Sequence, residues 1–312
     1  MYYLKNNSDS KLYTESMNCL KKVNKDWISL RKSPQYRVGL VFLDTINCLK
    51  HFKIKMIINK WSNWIRNSKV HSNKVNKVEL SKDIKKSNYF SNEKIAIYTV
   101  VFGNYDNIPE PYANPDNCDY FVFTDQNFDD TNTIWKRKKV PLKICNYTNV
   151  EKNRYLKMHP EELFHDYKYS IYVDGNIQII TDLTEYVNML NEYGIGTHMH
   201  DSRDCVFEEL EVVKKLKKDK YENIKRHKDY LIETNMPKNY GLLQCNFIVR
   251  EHNNPICVKI MNEWWLEFKK FSKRDQISLP HVLYMNNIPV SKIGILGDNI
   301  YKNPSFRILN HK

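Results

Sequence analysis

The chain has 312 residues, of which 41% are hydrophobic and 13% aromatic, and it carries a formal net charge of +13. This length and apolar content suffice for one large folded domain with an extension, and only eight glycines argue against a low-complexity polymer. The seven cysteines are scattered and form no C-x-x-C pair, which favours reduced thiols over a disulfide framework or a zinc knuckle. Neither a signal peptide nor a run of 18 apolar residues is present, so we expect a cytoplasmic chain that is not secreted.

Residues 1–90 are predicted to form a basic helical extension followed by a linker. The stretch between Lys50 and Lys86 contains eleven Lys or Arg residues against two acidic ones. Residues 51–67 place isoleucines together with Trp61 and Trp64 on one helical face, with lysines around them. Such a helix suits the surface of an anionic membrane, so we expect peripheral contact with its inner face through residues 30–86. The alternative is a pair of helices that packs on the domain that follows.

Beyond residue 90 the pattern changes to alternating strands and helices. Strands are predicted over 94–103, 119–125, 169–180, 195–199 and 242–250. Helices are predicted over 149–164, near 181–192, from about 204, over 254–271, and over 274–287 with an interruption at Pro280. This alternation predicts an α/β domain over 91–312 with a central, mostly parallel sheet flanked by helices. Ligands bind at the carboxyl ends of the strands in such sheets, which is where Gly103, Asp125 and Asp174 fall.

The third predicted strand, YSIYVDGNIQII, is interrupted by Asp174-Gly175-Asn176. Two oxygen-bearing side chains on either side of a glycine are costly to bury unless something binds them. Their hard oxygen atoms suit Mg²⁺ or Mn²⁺, which in turn bridges phosphate oxygens. A turn is the alternative, because Asp-Gly-Asn is good turn chemistry, although the strand-like pattern resumes at Ile177.

The motif YVDGNIQI resembles the strand and Asp-x-Asp signature of nucleotide-sugar glycosyltransferases with the GT-A fold. The wider pattern resembles the family catalogued as domain of unknown function 616, of bacterial surface-polysaccharide type. The matching pieces are IYTVVFGNYD (97–106), YFVFTD (120–125), NRYLKMHPEELFHDYKYSIYVDGNIQI (153–179), HMHDSRDCVFEE (198–209) and FKKFSKRDQISLPHVL (268–283). Together they span about residues 94–290.

The resemblance implies a GT-A-like, Rossmann-related fold and an enzyme that transfers a hexosyl or related group from a nucleotide-diphosphate sugar to a saccharide acceptor. Surface-polysaccharide or capsule synthesis is the setting that it implies. It also implies Mn²⁺ or Mg²⁺ held by Asp174 and Asn176. Asn176 stands where the family has a second carboxylate, so this site offers less negative charge to a metal ion than the family's motif does.

The resemblance also implies roles for individual residues. The predicted nucleotide-sugar contacts are Phe102, Gly103, Tyr105, Asp125, Arg154, Lys157, Asp174 and Gln276. The predicted catalytic residues are Asp275, Glu209, His200 and Arg203. Independently of the resemblance, Arg154 and Lys157 lie one helical turn apart and share a face that suits a diphosphate, or else a solvated surface. Asp275 could instead cap a helix, and Trp264 and Trp265 are expected in the core.

Two other classes of protein compete with a glycosyltransferase. The sequence pI of about 9.2 and the many aromatic residues would suit a nucleic-acid-binding protein. However, the positive charge is concentrated outside the predicted α/β domain and no nucleic-acid-binding motif is present, so we expect no specific nucleic acid partner. A metal-dependent hydrolase built on His198, His200 and Asp174 is the other alternative, although no third convincing ligand lies near the two histidines in the sequence.

Overall fold

The structure of the protein is a computed structural model, and it describes residues 93–127, 131–297 and 299–311. The predicted extension over residues 1–90, with its proposed membrane-binding segment, lies outside the described residues. In the described part, no helix is both long and apolar enough to cross a membrane.

A six-stranded sheet forms the centre of the described region, in the order β3-β2-β1-β4-β7-β6. Its strands are β1 (Ile95–Val101), β2 (Cys118–Thr124), β3 (Lys136–Arg137), β4 (Tyr169–Val173), β6 (Ile195–Met199) and β7 (Leu243–Arg250). Strands β1 to β4 run parallel, whereas β7 is antiparallel to both of its neighbours. The predicted mostly parallel α/β sheet is therefore confirmed.

Five α-helices are described: α1 (Asn149–Met158), α2 (Val206–Lys215), α3 (Tyr221–Glu233), α4 (Pro255–Lys270) and α5 (Asp275–Met285). Helices α1, α4 and α5 contribute, with one face of the sheet, to the largest apolar core, in which Trp264 and Trp265 are buried as expected. A second core lies on the other face, under a small sheet of β5 (Ile177–Ile179) and β8 (Phe306–Ile308).

The predicted strand over 169–180 is in fact two strands that belong to different sheets. β4 ends at Val173, and the chain then leaves the central sheet so that β5 pairs with β8 near the end of the chain. The glycine between them is needed for packing, because a Cβ atom on Gly175 would collide with the side chain of Val101 and come within 3.3 Å of Asp106. The backbone at the motif therefore lies directly against the end of β1.

Four helix predictions differ from the structure. The helix expected over 149–164 ends at Met158 and is followed by a 3₁₀ helix, Pro160–Glu162. The helix expected near 181–192 is a short 3₁₀ helix, Thr184–Met189. The long helix expected from about residue 204 is divided into α2 and α3, and Lys217 between them has a positive φ of 52°, which ends a helix. Helix α5 continues through Pro280, where both it and its apolar neighbours are buried.

Helix α4 is joined to α3 and α5 by a buried polar cluster. The carboxylate of Glu267 lies 3.1 Å from Nε2 of His227 on α3 and 2.6 Å from Nδ1 of His281 on α5. All three side chains are buried. Burial alone would raise the pKa of Glu267, but its hydrogen bonds with the two histidines hold the pKa below the ordinary value.

Candidate active site

A cleft of about 890 Å³ opens where β1 and β4 end and α5 begins. This is the carboxyl edge of the parallel strands, at which α/β sheets bind their ligands. Twelve of the thirteen predicted site residues line the cleft: Phe102, Gly103, Tyr105, Arg154, Lys157, Asp174, Asn176, His200, Arg203, Glu209, Asp275 and Gln276. Asp125 is not among the lining residues.

Four charged side chains meet on the floor of this cleft. The ammonium nitrogen of Lys157 lies 2.6 Å from Oδ2 of Asp275 and 3.9 Å from Oδ1 of Asp174. The guanidinium Nε of Arg154 lies 3.1 Å from the same Asp275 oxygen. The side chains of Lys157 and Asp275 are 1% and 5% exposed, whereas that of Asp174 is 35% exposed and faces the cleft. We name these four side chains the charge cluster.

The charge cluster determines the ionisation of Asp275. Burial alone would raise the pKa of this carboxyl, but the positive charges of Arg154 and Lys157 hold its pKa well below the ordinary range. Asp275 is the first residue of α5, and its carboxylate reaches across to α1. Its carboxylate lines the cleft and forms ion pairs with Lys157 and Arg154 of α1, which a simple helix cap would not do.

Helix α1 is anchored at both ends, and this anchoring sets the position of Lys157. At its start, Thr148 and Glu151 form a reciprocal capping box. At its end, the buried guanidinium of Arg250 donates a hydrogen bond to the carbonyl of Lys157 at 2.5 Å. The hydroxyl of Tyr98 lies 3.1 Å from the same carbonyl and accepts a hydrogen bond from Arg250. A buried cation at a helix C-terminus also complements the negative end of the helix dipole.

Asp174 is held in place by the strand that precedes it. The hydroxyl of Tyr172, two residues earlier on β4, donates a hydrogen bond of 2.7 Å to Oδ1 of Asp174. Burial, and then the charge of Asp174, raises the pKa of Tyr172 well above its ordinary value, so the hydroxyl keeps the proton that it donates. Asn176 has a different partner, because its amide nitrogen donates to the carbonyl of Leu309 at 3.1 Å.

The loop after β1 forms another wall of the cleft. Gly103 has a φ of +72°, a conformation that favours glycine, and its N–H donates to the carboxylate of Asp125 at 2.9 Å. Asp125 therefore supports the loop from behind instead of facing the cavity. Tyr105, which is 61% exposed, extends from this loop into the cleft.

A second ion pair lies on the side of the cleft formed by α2. Nε of Arg203 lies 2.7 Å from Oε2 of Glu209, and one of its terminal nitrogens lies 3.3 Å from Nε2 of His200. Burial, and then the charge of Arg203, lowers the pKa of His200, so its ring is neutral at pH 7. Arg203 thus contacts both Glu209 and His200, and all three are among the predicted catalytic residues.

The described residues do not form the metal site of the alternative hydrolase, His198 with His200 and Asp174. Strand β6 has an irregular register at Thr197/His198 and ends at Met199, so the two histidines do not occupy equivalent positions on one strand. His198 is buried, contacts Asn303 and does not line the cleft that holds His200 and Asp174. Across the described residues, no group of three or more His, Cys, Asp or Glu side chains is placed to hold a metal ion.

The residues present at the motif also do not fit the implied Mn²⁺ or Mg²⁺. Such ions bind through several oxygen ligands, commonly carboxylates. Of the two predicted ligands, only Asp174 is a carboxylate, and its Oδ1 already accepts a hydrogen bond from Tyr172 and lies near the Lys157 ammonium. Asp275, the other carboxylate of the charge cluster, is neutralised by Lys157 and Arg154.

Several residues of the cleft were missed by the sequence analysis. Asp106 is buried, and its Oδ1 lies 2.5 Å from Nδ1 of His311, whose ring centroid is 4.8 Å from that of Tyr105. Tyr301 also lines the cleft. Asp106 belongs to the segment IYTVVFGNYD, one of the pieces that carry the family resemblance, so the sequence did contain a signal for its place in the site. Nothing local marks His311, which reaches the cleft only because β8 pairs with β5.

A family comparison bears directly on this region. The family model described as TOD1/MUCI70, glycosyltransferase-like domain matches residues 50–306. The match includes every helix and strand described above except the last residues of β8, and it begins inside the segment predicted as an extension. A search of curated proteins gave no significant match.

Solved structures of glycosyltransferases are similar to this chain at low sequence identity. The apo structure of the bifunctional glycosyltransferase WbbM is 13% identical, with a TM-score of 0.41, and the match covers 62% of this chain and 38% of that chain. Mouse xyloside xylosyltransferase 1 in its apo form is 7% identical, with a TM-score of 0.39 and coverages of 64% and 83%. The mannosyltransferase Ktr4p from S. cerevisiae is 13% identical, with a TM-score of 0.33 and coverages of 61% and 65%. The chain thus spans well under half the length of the WbbM structure.

Proposed function

The chain belongs to the TOD1/MUCI70 glycosyltransferase-like family, and on that premise we propose that it transfers a glycosyl group from a nucleoside-diphosphate sugar to a hydroxyl of a saccharide acceptor. The observation that carries this proposal is the charge cluster at the carboxyl edge of the sheet. There, Arg154 and Lys157 face a cleft large enough for a nucleotide sugar. Positive groups in this position bind a diphosphate and stabilise it as a leaving group.

In the proposed reaction, the bond between the anomeric carbon of the sugar and the diphosphate oxygen breaks, and its electron pair stays with the nucleoside diphosphate. A bond forms between the same carbon and the acceptor oxygen, which loses its proton. Lys157 and Arg154 offset the negative charge that develops on the diphosphate. Because the cluster is preorganised by α1, α5 and the buried Arg250, little reorganisation accompanies this charge development.

The remaining residues divide between the two ends of the donor. We place the nucleoside against the loop after β1, where Phe102, Gly103 and the exposed ring of Tyr105 offer a stacking surface supported by Asp125. We place the sugar near Asp174, whose carboxylate can accept hydrogen bonds from sugar hydroxyls. Gln276 lines the same cavity beside the charge cluster.

The acceptor is assigned to the α2 side of the cleft, beside Glu209, Arg203 and His200. The His200 ring is neutral at pH 7, because burial and Arg203 lower its pKa, and it can therefore accept a proton. Glu209 is held in its ion pair with Arg203, and Asp275 is held by two cations. These contacts favour positioning roles for both carboxylates over direct deprotonation of the acceptor.

The setting that we propose is surface-polysaccharide synthesis, with the basic residues 30–86 in peripheral contact with an anionic membrane. The composition of that segment supports this proposal: eleven Lys or Arg residues against two acidic ones between Lys50 and Lys86. Co-sedimentation of the full chain with vesicles, with and without anionic lipid, tests the contact. Binding that requires anionic lipid and weakens with salt supports it, and full chain left in the supernatant at low salt contradicts it.

The test of the proposed activity is a thermal-shift screen with UDP, GDP, CDP and their sugars. A ligand that binds only the folded state raises the melting temperature by mass action, so at least one of these nucleotides should do so. The matched variant is Asp174→Asn, which keeps the size of the side chain and removes its charge. We expect this variant to fold and to lose most glycosyl transfer or donor-sugar hydrolysis. Full activity in the variant would remove Asp174 from the donor site.

A further inference from the structure

We propose that the buried ammonium of Lys157, together with Arg154, occupies the place of a divalent cation in this protein, so that it binds the diphosphate of its donor without Mn²⁺ or Mg²⁺. This inference rests on the proposed function and deepens it. The starting point is the disagreement noted above between the residues at the strand end and the metal that the Asp-Gly-Asn motif implies.

The charge cluster is electrically balanced without a metal ion. Asp174 and Asp275 carry two negative charges, and Lys157 and Arg154 carry two positive charges, so the charge cluster is neutral as it stands. Two carboxylates at a metal site reach that balance only when they bind a divalent ion. Before the donor binds, a divalent ion added to these four side chains would leave two positive charges without compensation, which is costly where water is largely excluded.

The Lys157 ammonium also has the position that a bridging cation would take. The Lys157 ammonium lies between the two carboxylates, 2.6 Å from Asp275 and 3.9 Å from Asp174, so it bridges them as a cation would. It is also 4.9 Å from the centre of the Tyr172 ring. At the same time Tyr172 donates its hydroxyl proton to Oδ1 of Asp174, which removes one of the oxygen lone pairs that a metal would use.

Residue 176 is an asparagine whose contacts are structural. Its side chain is a neutral amide, and its nitrogen donates to the carbonyl of Leu309, the residue that follows β8. The backbone N–H of Leu309 in turn donates to the carbonyl of Asn176 at 2.8 Å. Asn176 therefore has a structural role that explains its presence without a metal, since a carboxylate could not donate to a carbonyl.

The position of Lys157 is rigid, as a substitute for a cation requires. Its backbone carbonyl accepts hydrogen bonds from the buried Arg250 and from Tyr98, and its side chain is 1% exposed. A lysine on a mobile surface helix would lose more conformational entropy on each phosphate contact. The Lys157 side chain has already lost that entropy when the protein folds.

The experiment measures the affinity of the full chain for UDP, GDP and inorganic pyrophosphate by calorimetry, once in EDTA and once in excess Mn²⁺. Pyrophosphate is included because it has no nucleoside, so its affinity depends only on contacts with the phosphate groups, such as those of Lys157 and Arg154. For each ligand that binds, we expect the dissociation constants in EDTA and in Mn²⁺ to agree within about threefold. Such a difference is well below the 1.4 kcal/mol that corresponds to a tenfold change in affinity. Binding that is lost in EDTA and restored at least tenfold by Mn²⁺ overturns the inference while leaving the proposed function intact. Binding in neither condition overturns both.

Two variants assign the effect to residues. Lys157→Met removes the buried charge with similar side-chain length, and we expect binding in EDTA to weaken at least about tenfold, as for loss of a charged hydrogen bond. Lys259→Met, an exposed lysine on α4 that does not line the cleft, is the control and should bind as the unmodified chain does. If Lys157→Met does not fold, Arg154→Gln provides the second measurement, because that side chain is 20% exposed. Unchanged affinity in the folded variants contradicts the inference.

Discussion

Replacing Asp275 by asparagine tests whether the charge cluster holds the cleft together. The substitution removes the carboxylate that lies 2.6 Å from the Lys157 ammonium and 3.1 Å from Nε of Arg154. Removing one partner of a buried ion pair costs about 3–5 kcal/mol, because the remaining charge is left without compensation. Asp174 still lies 3.9 Å from Lys157 and Arg154 is 20% exposed, so we expect the lower end of this range, about 3 kcal/mol.

For a domain of this size, such a loss lowers the melting temperature by roughly 6–12 °C. Urea unfolding followed by tryptophan fluorescence measures it, and Trp264 is a local reporter because its Nε1 donates to the backbone carbonyl of Asp275. The matched control is Glu209→Gln, the same change in the other ion pair of the cleft. Its partner Arg203 is 26% exposed and can be hydrated, so the expected cost is about 1 kcal/mol.

The pH dependence of the difference in stability between the original chain and Asp275→Asn gives an independent check. The pKa of Asp275 in the folded protein is held well below its ordinary range, because the charges of Arg154 and Lys157 outweigh the effect of burial. A depressed carboxyl pKa contributes stability that is fully present above the unfolded pKa of about 3.9 and is lost as the pH falls further. The gap between the original chain and Asp275→Asn should therefore be widest near neutral pH and should narrow below about pH 4.

The reasoning is refuted if Asp275→Asn and Glu209→Gln lose the same stability at pH 7, or if the gap for Asp275→Asn is unchanged between pH 7 and pH 3. Either result would mean that the buried cations are compensated in another way. A small loss for both variants would further show that water reaches the floor of the cleft.

Three further predictions concern other contacts. Tyr172→Phe removes a hydrogen bond to Asp174 without changing the packing, so turnover should fall by about tenfold while stability falls by only about 1 kcal/mol; unchanged turnover contradicts this. Gly175→Ala collides with Val101, so thermal denaturation should show a loss of about 1–3 kcal/mol, and equal melting temperatures would disprove the close packing. Glu267→Gln should lower the free energy of unfolding at pH 7 by about 2 kcal/mol. Because the pKa of Glu267 is lowered in the folded protein, the difference in stability between this variant and the original chain should shrink below about pH 4. A difference that stays constant with pH would argue against an ionised Glu267.

Much of this protein could be predicted from local sequence patterns. Strands β1, β2, β6 and β7 lie within two residues of their predicted bounds, because runs of β-branched and aromatic residues specify a buried strand locally. Helices α1 and α4 follow from apolar spacing and from start signals such as the Thr148 cap. The shared face of Arg154 and Lys157 follows from helical geometry alone, and both side chains do reach the same carboxylate.

Other features depended on contacts between distant parts of the chain. The pattern over 169–180 reads as one strand, yet the backbone divides at Gly175 because Val101 and Asp106 lie against it. Lys157 reads as a surface residue of a polar helix, yet it is 1% exposed because Asp275, 118 residues later, supplies its counter-charge. His311 enters the cleft only through the pairing of β8 with β5.

The amino-acid sequence by itself therefore determined most strands, helices α1 and α4, and the residue types available at the carboxyl edge of the sheet. Only the tertiary structure decided which charges are buried together and which of them neutralise one another. The physical reason is that periodicity and propensity act over a few residues, whereas the ionisation of Asp275 and the position of the Lys157 ammonium depend on charges and desolvation contributed by α1, α5 and β7 together.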